Sequence, residues 1–381
     1  MNSLRKLPYF VLILLTLLLA ACGGSSTPEV DSSASESESS TSEESSSEES
    51  ASSNEDLNAS EESSSEESSR GGSRTAPTEP RPITLAMGFI PNVQFAPYYV
   101  AIEKGYFAEE GIELTLDYGM ENDLVELVSA NELQFAIASG DQVFLGRAGG
   151  RAIRYVANWY RRFPVAVSAI EHDITDPKAL EGKKVGLPGL FGANYIGWLA
   201  LAEAAGLDTE SVELEAIGFN QVPVLAEGQV DAVVVYATNE PLQLAAQGYD
   251  PTTIYVADFI DLVANGLITN EETIKNDPEL VQGMVRAILR GIQDVINNPD
   301  EAFEIVRDEK WGTGIDDDSA ETQRAVLEAS LYFWRNDTPG IVPASAWETS
   351  QEFMLNAGLL EQEVSLEDVY TNEFVENANV K

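Results

Sequence analysis

The chain of 381 residues has one histidine, His172, and one cysteine, Cys22. That leaves no Cys/His zinc cluster, no disulfide framework and no thiol–imidazole pair. Positive charge is also scarce: 22 Lys and Arg stand against 64 Asp and Glu, a formal net charge of −42. Nucleic acid or an anionic membrane surface is therefore a poor main partner. There is no Walker A segment, no G-x-G-x-x-G opening a helix, no H-E-x-x-H and no nucleophile elbow. Carboxylates are abundant, but nothing in the sequence singles out a glycosidase pair. The expectation is a non-enzyme with no catalytic set, no metal and no cofactor.

Long apolar runs are confined to the amino terminus. Arg5 and Lys6 precede the run Tyr9 to Ala21, which is too short to span a bilayer and has the shape of a secretory signal. It ends in Leu19-Ala20-Ala21-Cys22, which resembles the lipobox of bacterial lipoproteins. That resemblance implies cleavage before Cys22, residues 1–21 as signal peptide, and acyl chains such as palmitate on the anchor. Residues 23–80 are Ser- and Glu-rich, with 15 acidic side chains against Arg70 and Arg74. Such a segment buries too little to offset its conformational entropy, so 22–80 is expected to be a disordered tether. As a coil its ends would lie on the order of 40–45 Å apart. The folded part then runs from Arg81 to Lys381 and is long enough for a sizeable core.

From Ile83 onward short β-type runs alternate with helical ones. Strands are expected at 83–89, 113–118, 135–139, 153–159 and 165–170, with helices from Pro97, 123–129 and 142–148. After Pro177 a second set follows: strands 184–187, 212–217 and 232–236, helices 194–205 and 222–227. Beyond 262–269 the pattern is helical: 278–297, 299–307, 320–334 and 344–357. The order predicts an α/β fold with largely parallel sheets, in two lobes between which the chain crosses twice. Lobe 1 is expected at about 81–168 plus 265–381, and lobe 2 at about 169–264.

Met87-Gly88-Phe89-Ile90-Pro91-Asn92, then Ala101 to Phe107 and Glu110-Gly111-Ile112, resemble the opening of substrate-binding proteins of bacterial ABC importers. The resemblance is to members that bind pyrimidine precursors and vitamins. Ser139-Gly140-Asp141, Gly182 to Gly186 and Glu227 to Ala232 extend it, so that it covers about Ile83 to the carboxyl terminus. Residues 189–195 and 236–241 are most similar to the riboflavin-binding lipoproteins. This implies a two-lobed periplasmic-binding-protein fold that closes on its ligand by hinge motion. It further implies a monomer held at the extracytoplasmic face of the cell membrane by Cys22, handing a vitamin to a permease. Thiamine precursors such as formylaminopyrimidine or hydroxymethylpyrimidine, or a small sulfonate, are the alternative ligands. The fungal pyrimidine synthase shares the fold, but it uses iron, a catalytic His and a Cys-rich motif, which this chain lacks.

In such a fold the ligand sits between the lobes, at strand ends and helix starts. Asn92, Gln94 and Tyr98 follow the first strand, although Pro91-Asn92 also reads as a plain turn. Asp141 could meet a ligand hydroxyl or cap the next helix. Trp159 is a candidate stacking platform, or else interlobe packing. Phe191, Tyr195 and Trp198 surround a helix start whose free N–H groups could receive an anion or a carbonyl, and Trp198 could instead pack under the sheet. Tyr236, Asn239 and Glu240 complete the set, Glu240 either facing the ligand or favouring the helix dipole. His172 reads as a solvated surface residue, and Tyr332-Phe333-Trp334 as helix-packing core.

Overall fold

The computed structural model describes residues 80–171 and 173–380. The expected signal peptide, the anchor at Cys22, the tether as far as Glu79, and His172 lie outside the described residues. Ten strands are formed: β1 (Arg81–Met87), β2 (Ile112–Tyr118), β3 (Phe135–Ser139), β4 (Ile153–Asn158), β5 (Val165–Ala169), β6 (Lys184–Leu187), β7 (Glu213–Ala216), β8 (Ala232–Tyr236), β9 (Thr252–Tyr255) and β10 (Asn265–Asn270). They make two five-stranded sheets, ordered β2-β1-β3-β10-β4 and β7-β6-β8-β5-β9.

The central strands are buried on both faces because helices cover both. Every residue of β3 and β10 is buried, and all of β8 but Tyr236, as expected for a sheet packed on either side. At the edge, β2 alternates instead, with Glu113, Thr115 and Asp117 turned outward.

The sheets are mixed rather than wholly parallel. β1 runs parallel to β2 and β3, and β6 to β7 and β8. However, β10 is antiparallel to β3 and β4, and β5 to β8 and β9. Each reversed strand is the first that the chain lays down after crossing from the other sheet, so it enters from the cleft end. The first crossing falls between Asn158 and Val165, ahead of the boundary expected at 168/169, since β5 pairs wholly within the second sheet. Strand β9 has a weak apolar signal and is not among the expected strands: only Ile254 of its four residues is buried.

The helix Pro278–Asn297 shows why the carboxyl-terminal region packs on the first lobe. Leu280, Val281, Met284, Val285, Ile288, Leu289, Ile292 and Val295 lie on its buried stripe, at the spacing of an amphipathic helix. Asp277 accepts from the Leu280 N–H at 3.2 Å, and Pro278 occupies the first turn without loss of a bonded N–H. The stripe presses on the helix Ala96–Glu103 so closely that a Cβ on Gly291 would lie 2.1 Å from the Pro97 carbonyl oxygen. Ala96–Glu103 is thereby fixed, and with it the loop that enters the cleft ahead of it.

Candidate ligand-binding cleft

Between the lobes is a cleft of about 750 Å³, counting its open mouth. It is built at the ends of strands. From the first lobe come Gly88 and Phe89 after β1, Gln94 and Phe95 in the short turn Val93–Phe95, Glu121 after β2, Trp159 and Tyr160 after β4, and Asn265 at the start of β10. The second lobe supplies Phe191 to Asn194 after β6, Phe219 and Gln221 after β7, and Tyr236 and Glu240 after β8.

One wall is aromatic. Trp159 stacks on Phe95 with centroids 5.4 Å apart and planes at 25°, and leans on Tyr160 at 4.2 Å. Tyr160 is backed in turn by Trp334, nearly parallel at 6.4 Å. Phe333 and Trp334 are buried as the sequence predicts, whereas Tyr332 is 53% exposed and lies under the Arg161 guanidinium at 5.0 Å. Trp159 itself is 5% exposed, so its ring is held from behind and cannot swing.

The polar groups tie the lobes together. Gln94 Nε2 donates to Thr238 Oγ1 at 2.6 Å and to Tyr160 Oη at 3.3 Å. Tyr236 Oη donates to Asn265 Oδ1 at 3.0 Å. Glu121, the first residue of the helix Glu121–Ser129, accepts from the Ser139 N–H at 2.6 Å and from Asn265 Nδ2 at 3.4 Å. Its other oxygen accepts from the Ala193 N–H at 3.1 Å, so one carboxylate reaches across to the helix Gly192–Ala205 of the second lobe. Gly192 stands at φ +70°, and a Cβ there would lie 3.1 Å from Glu121 Oε2. Both backbone angle and proximity suit glycine.

Two carboxyl groups in this cleft hold their protons more tightly than an exposed glutamate. Burial raises Glu121, and the neighbouring Asp141 charge raises it further. Burial raises Glu240 to about 7, against the pull of the hydrogen bonds it accepts. Those bonds come from the Tyr236 N–H at 3.0 Å and Asn239 Nδ2 at 3.1 Å.

Of the residues expected to bind, Gln94, Trp159, Phe191, Tyr236 and Glu240 line the cleft. The other six stand off it. Asn92 caps the Val93–Phe95 turn, its Oδ1 accepting from the Gln94 N–H at 2.9 Å. Tyr98 is wholly buried behind Trp159, edge-on at 5.5 Å. Asp141 lies in the first turn of the helix Gly140–Ala148, with Gln142 Nε2 donating to it at 2.7 Å. It is Ser139, two residues earlier, that holds the N-cap position. Trp198 is in the core and Tyr195 packs against it, because the helix Gly192–Ala205 points its first turn, not its side, at the cleft. Asn239 holds the start of the helix Glu240–Ala246, and its Oδ1 accepts from Gln243 Nε2 at 2.8 Å.

The sequence reading missed Glu121, Phe89, Phe219 and Asn265. Phe89 and Phe219 stand shortly after β1 and β7, within reach of the strand-end rule that finds Tyr236, whereas Glu121 opens a helix and carries no such signal. Asn265 opens a reversed strand, whose start rather than whose end meets the cleft, so that rule passes over it.

Two mixed sheets crossed twice by the chain, with an aromatic and polar cleft at their strand ends, define the two-lobed periplasmic-binding-protein fold. Residues 92–302 match the family model described as NMT1/THI5 like, and the chain belongs to that family. It is 40% identical over 306 residues to the riboflavin-binding protein RibY of Chloroflexus aurantiacus, covering 77% of this chain and 86% of that one. It is 30% identical over 302 residues to a formylaminopyrimidine-binding protein of Halalkalibacterium halodurans, covering 76% and 89%. A 4-amino-5-hydroxymethyl-2-methylpyrimidine phosphate synthase of Legionella pneumophila matches at 22%, covering 77% and 92%. Among solved structures, the alkanesulfonate-binding protein SsuA of Xanthomonas axonopodis, bound to MOPS, superposes with a TM-score of 0.62 at 13% identity, covering 78% of this chain and all of that one.

Proposed function

We propose that the protein is the substrate-binding component of an ABC importer and that its ligand is riboflavin. The observation that carries this reading is Trp159: a large flat ring, immobilised on Phe95 and Tyr160, forming one wall of an interlobe cleft. Stacking on such a wall is worth roughly 1–3 kcal/mol per heteroaromatic ring. Gln94, Asn265 and Tyr236 would satisfy the polar edge of the flavin, and the Glu121 and Glu240 carboxyls would accept from ribityl hydroxyls. A ligand that leaves these buried groups unpaired forfeits about 1–3 kcal/mol for each. The 40% identity to a protein named for riboflavin binding supports the same ligand.

The rest of the reading follows from the sequence. The protein works as a monomer, tethered through lipid on Cys22 at the outer face of the cell membrane, and its lobes close on the vitamin before it reaches the permease. In this reading it binds rather than transforms its ligand, which is supported by relatives at 40% and 30% identity that are named as binding proteins. Among the described residues no helix is long and apolar enough to cross a membrane.

A thiamine pyrimidine precursor is the second reading. Glu240 favours it, since a carboxyl beside an aromatic wall can accept from a ring amino group, and so does the 30% relative. Titrating the full chain into riboflavin while following flavin fluorescence separates the two. Saturable one-to-one quenching that is lost in Trp159→Ala supports riboflavin. Absence of quenching, with no heat in calorimetry, rejects it in favour of the pyrimidine.

A further inference from the structure

The first turn of the helix Gly192–Ala205 is where the cleft presents backbone N–H groups, since Gly192, Ala193 and Asn194 all line it. Such a helix start ordinarily receives a phosphate or sulfonate. Here the chain's own carboxylate is already there: Glu121 Oε2 accepts from the Ala193 N–H. Glu121 is itself pinned by the Ser139 N–H and Asn265, so it is a fixed fixture of the first lobe. At the start of the helix Glu240–Ala246, the carboxylate of Glu240 folds back to accept from the Tyr236 N–H. No Lys, Arg or His is among the lining residues, so nothing offsets these two groups once they ionise.

We propose that Glu121 sets the charge selectivity of the cleft: by filling the helix start it restricts the site to ligands without a phosphate or sulfonate. The favoured class is a neutral heteroaromatic carrying hydroxyl or amino donors, that is, the free vitamin and not its phosphate ester. An ester oxyanion entering here would meet a carboxylate instead of an open amide, and like charges brought together in a buried site repel strongly. The inference rests on the vitamin reading of the cleft but goes further, because a riboflavin site could equally have admitted the 5′-phosphate.

The test compares riboflavin with riboflavin 5′-phosphate by fluorescence titration of the full chain at pH 8, in the wild type and in Glu121→Gln and Glu121→Ala. Roughly a hundredfold preference of the wild type for riboflavin is expected, falling to tenfold or less in both variants through gained affinity for the ester. The ratio is the readout, because either substitution also removes contacts made to a bound ligand. Circular dichroism checks that each variant is folded, and one folded variant suffices. Equal binding of both flavins by the wild type, or a ratio untouched by the substitutions, overturns the inference and leaves the riboflavin reading standing. If neither flavin binds, that reading fails. The same comparison is then made with hydroxymethylpyrimidine and its phosphate: a preference for the neutral member keeps the inference, and no preference or no binding ends it.

Discussion

Phe89 and Phe219 meet edge to face, ring centroids 4.8 Å apart and planes at 84°. One follows β1 of the first lobe and the other β7 of the second, and both line the cleft. Both rings are half-buried, and their contact bridges the two lobes.

An aromatic pair of this geometry is worth about 0.5–1.5 kcal/mol beyond its buried area. Phe219→Ala should therefore speed ligand dissociation roughly three- to tenfold while leaving the melting temperature nearly unchanged. Stopped-flow displacement of bound flavin measures the first and a thermal melt the second. A dissociation rate equal to that of wild type would mean that the pair does not hold the closed form.

Trp159 has two duties, and two substitutions separate them. Trp159→Ala removes a buried indole and should cost about 3–5 kcal/mol of stability, along with flavin quenching. Trp159→Phe keeps a ring on Phe95 and should recover most of the stability but only part of the binding. Denaturant titration beside fluorescence titration reads both. Full binding in the alanine variant would remove Trp159 from the site.

Tyr98 is the control. It lies behind Trp159, outside the cleft lining, and its buried hydroxyl has no protein partner. An unpaired buried hydroxyl stabilises nothing, so Tyr98→Phe should leave ligand affinity within a factor of two and should not lower stability. A tenfold loss of affinity would instead put Tyr98 in contact with the ligand.

Glu240 makes a prediction about pH. Its carboxyl titrates near 7 in the fold and near 4.5 when exposed, so folding takes up a proton between those values. The stabilisation is complete below about 4.5 and is lost as pH rises to about 7, by on the order of 3 kcal/mol. Glu240→Gln should make the wild-type decline shallower over that interval, leaving the share due to Glu121, even though the amide loses one of the two acceptors. Urea denaturation at pH 4.5, 6 and 8 gives the slopes. Parallel slopes for the two proteins would mean that Glu240 is not held protonated.

Periodicity made most of the two sheets legible. Phe135 to Ser139 and Ala232 to Tyr236 are short apolar runs that can only be covered strands, and they lie where the sequence puts them. It could not show that β5 and β10 run against their neighbours, because direction depends on where the chain re-enters a sheet and side-chain pattern is blind to it. The site was half legible for a related reason. Gln94, Trp159 and Tyr236 combine a strand end with an unusual side chain. Tyr195 and Trp198 have the right side chains on the right helix, but three- and four-residue spacing says which residues share a face and not where that face points. Glu121 looked like one acidic residue among many, and only the fold brings it to Ala193.

The position of β10 constrains how the protein is made. Strands β1 to β4 are synthesised first, yet β3 and β4 never pair with each other. Each waits for β10, which arrives roughly a hundred residues after β4. The second sheet is drawn from one uninterrupted stretch, 165–255, and has every strand it needs before the first sheet can be finished. During synthesis the first lobe therefore carries two unpaired edges through the whole emergence of the second. Exposed edges invite pairing with other chains, and long-range strand insertion is slow. That interval is where this protein most needs protection from aggregation, and it ends when Asn265 to Asn270 slides between β3 and β4.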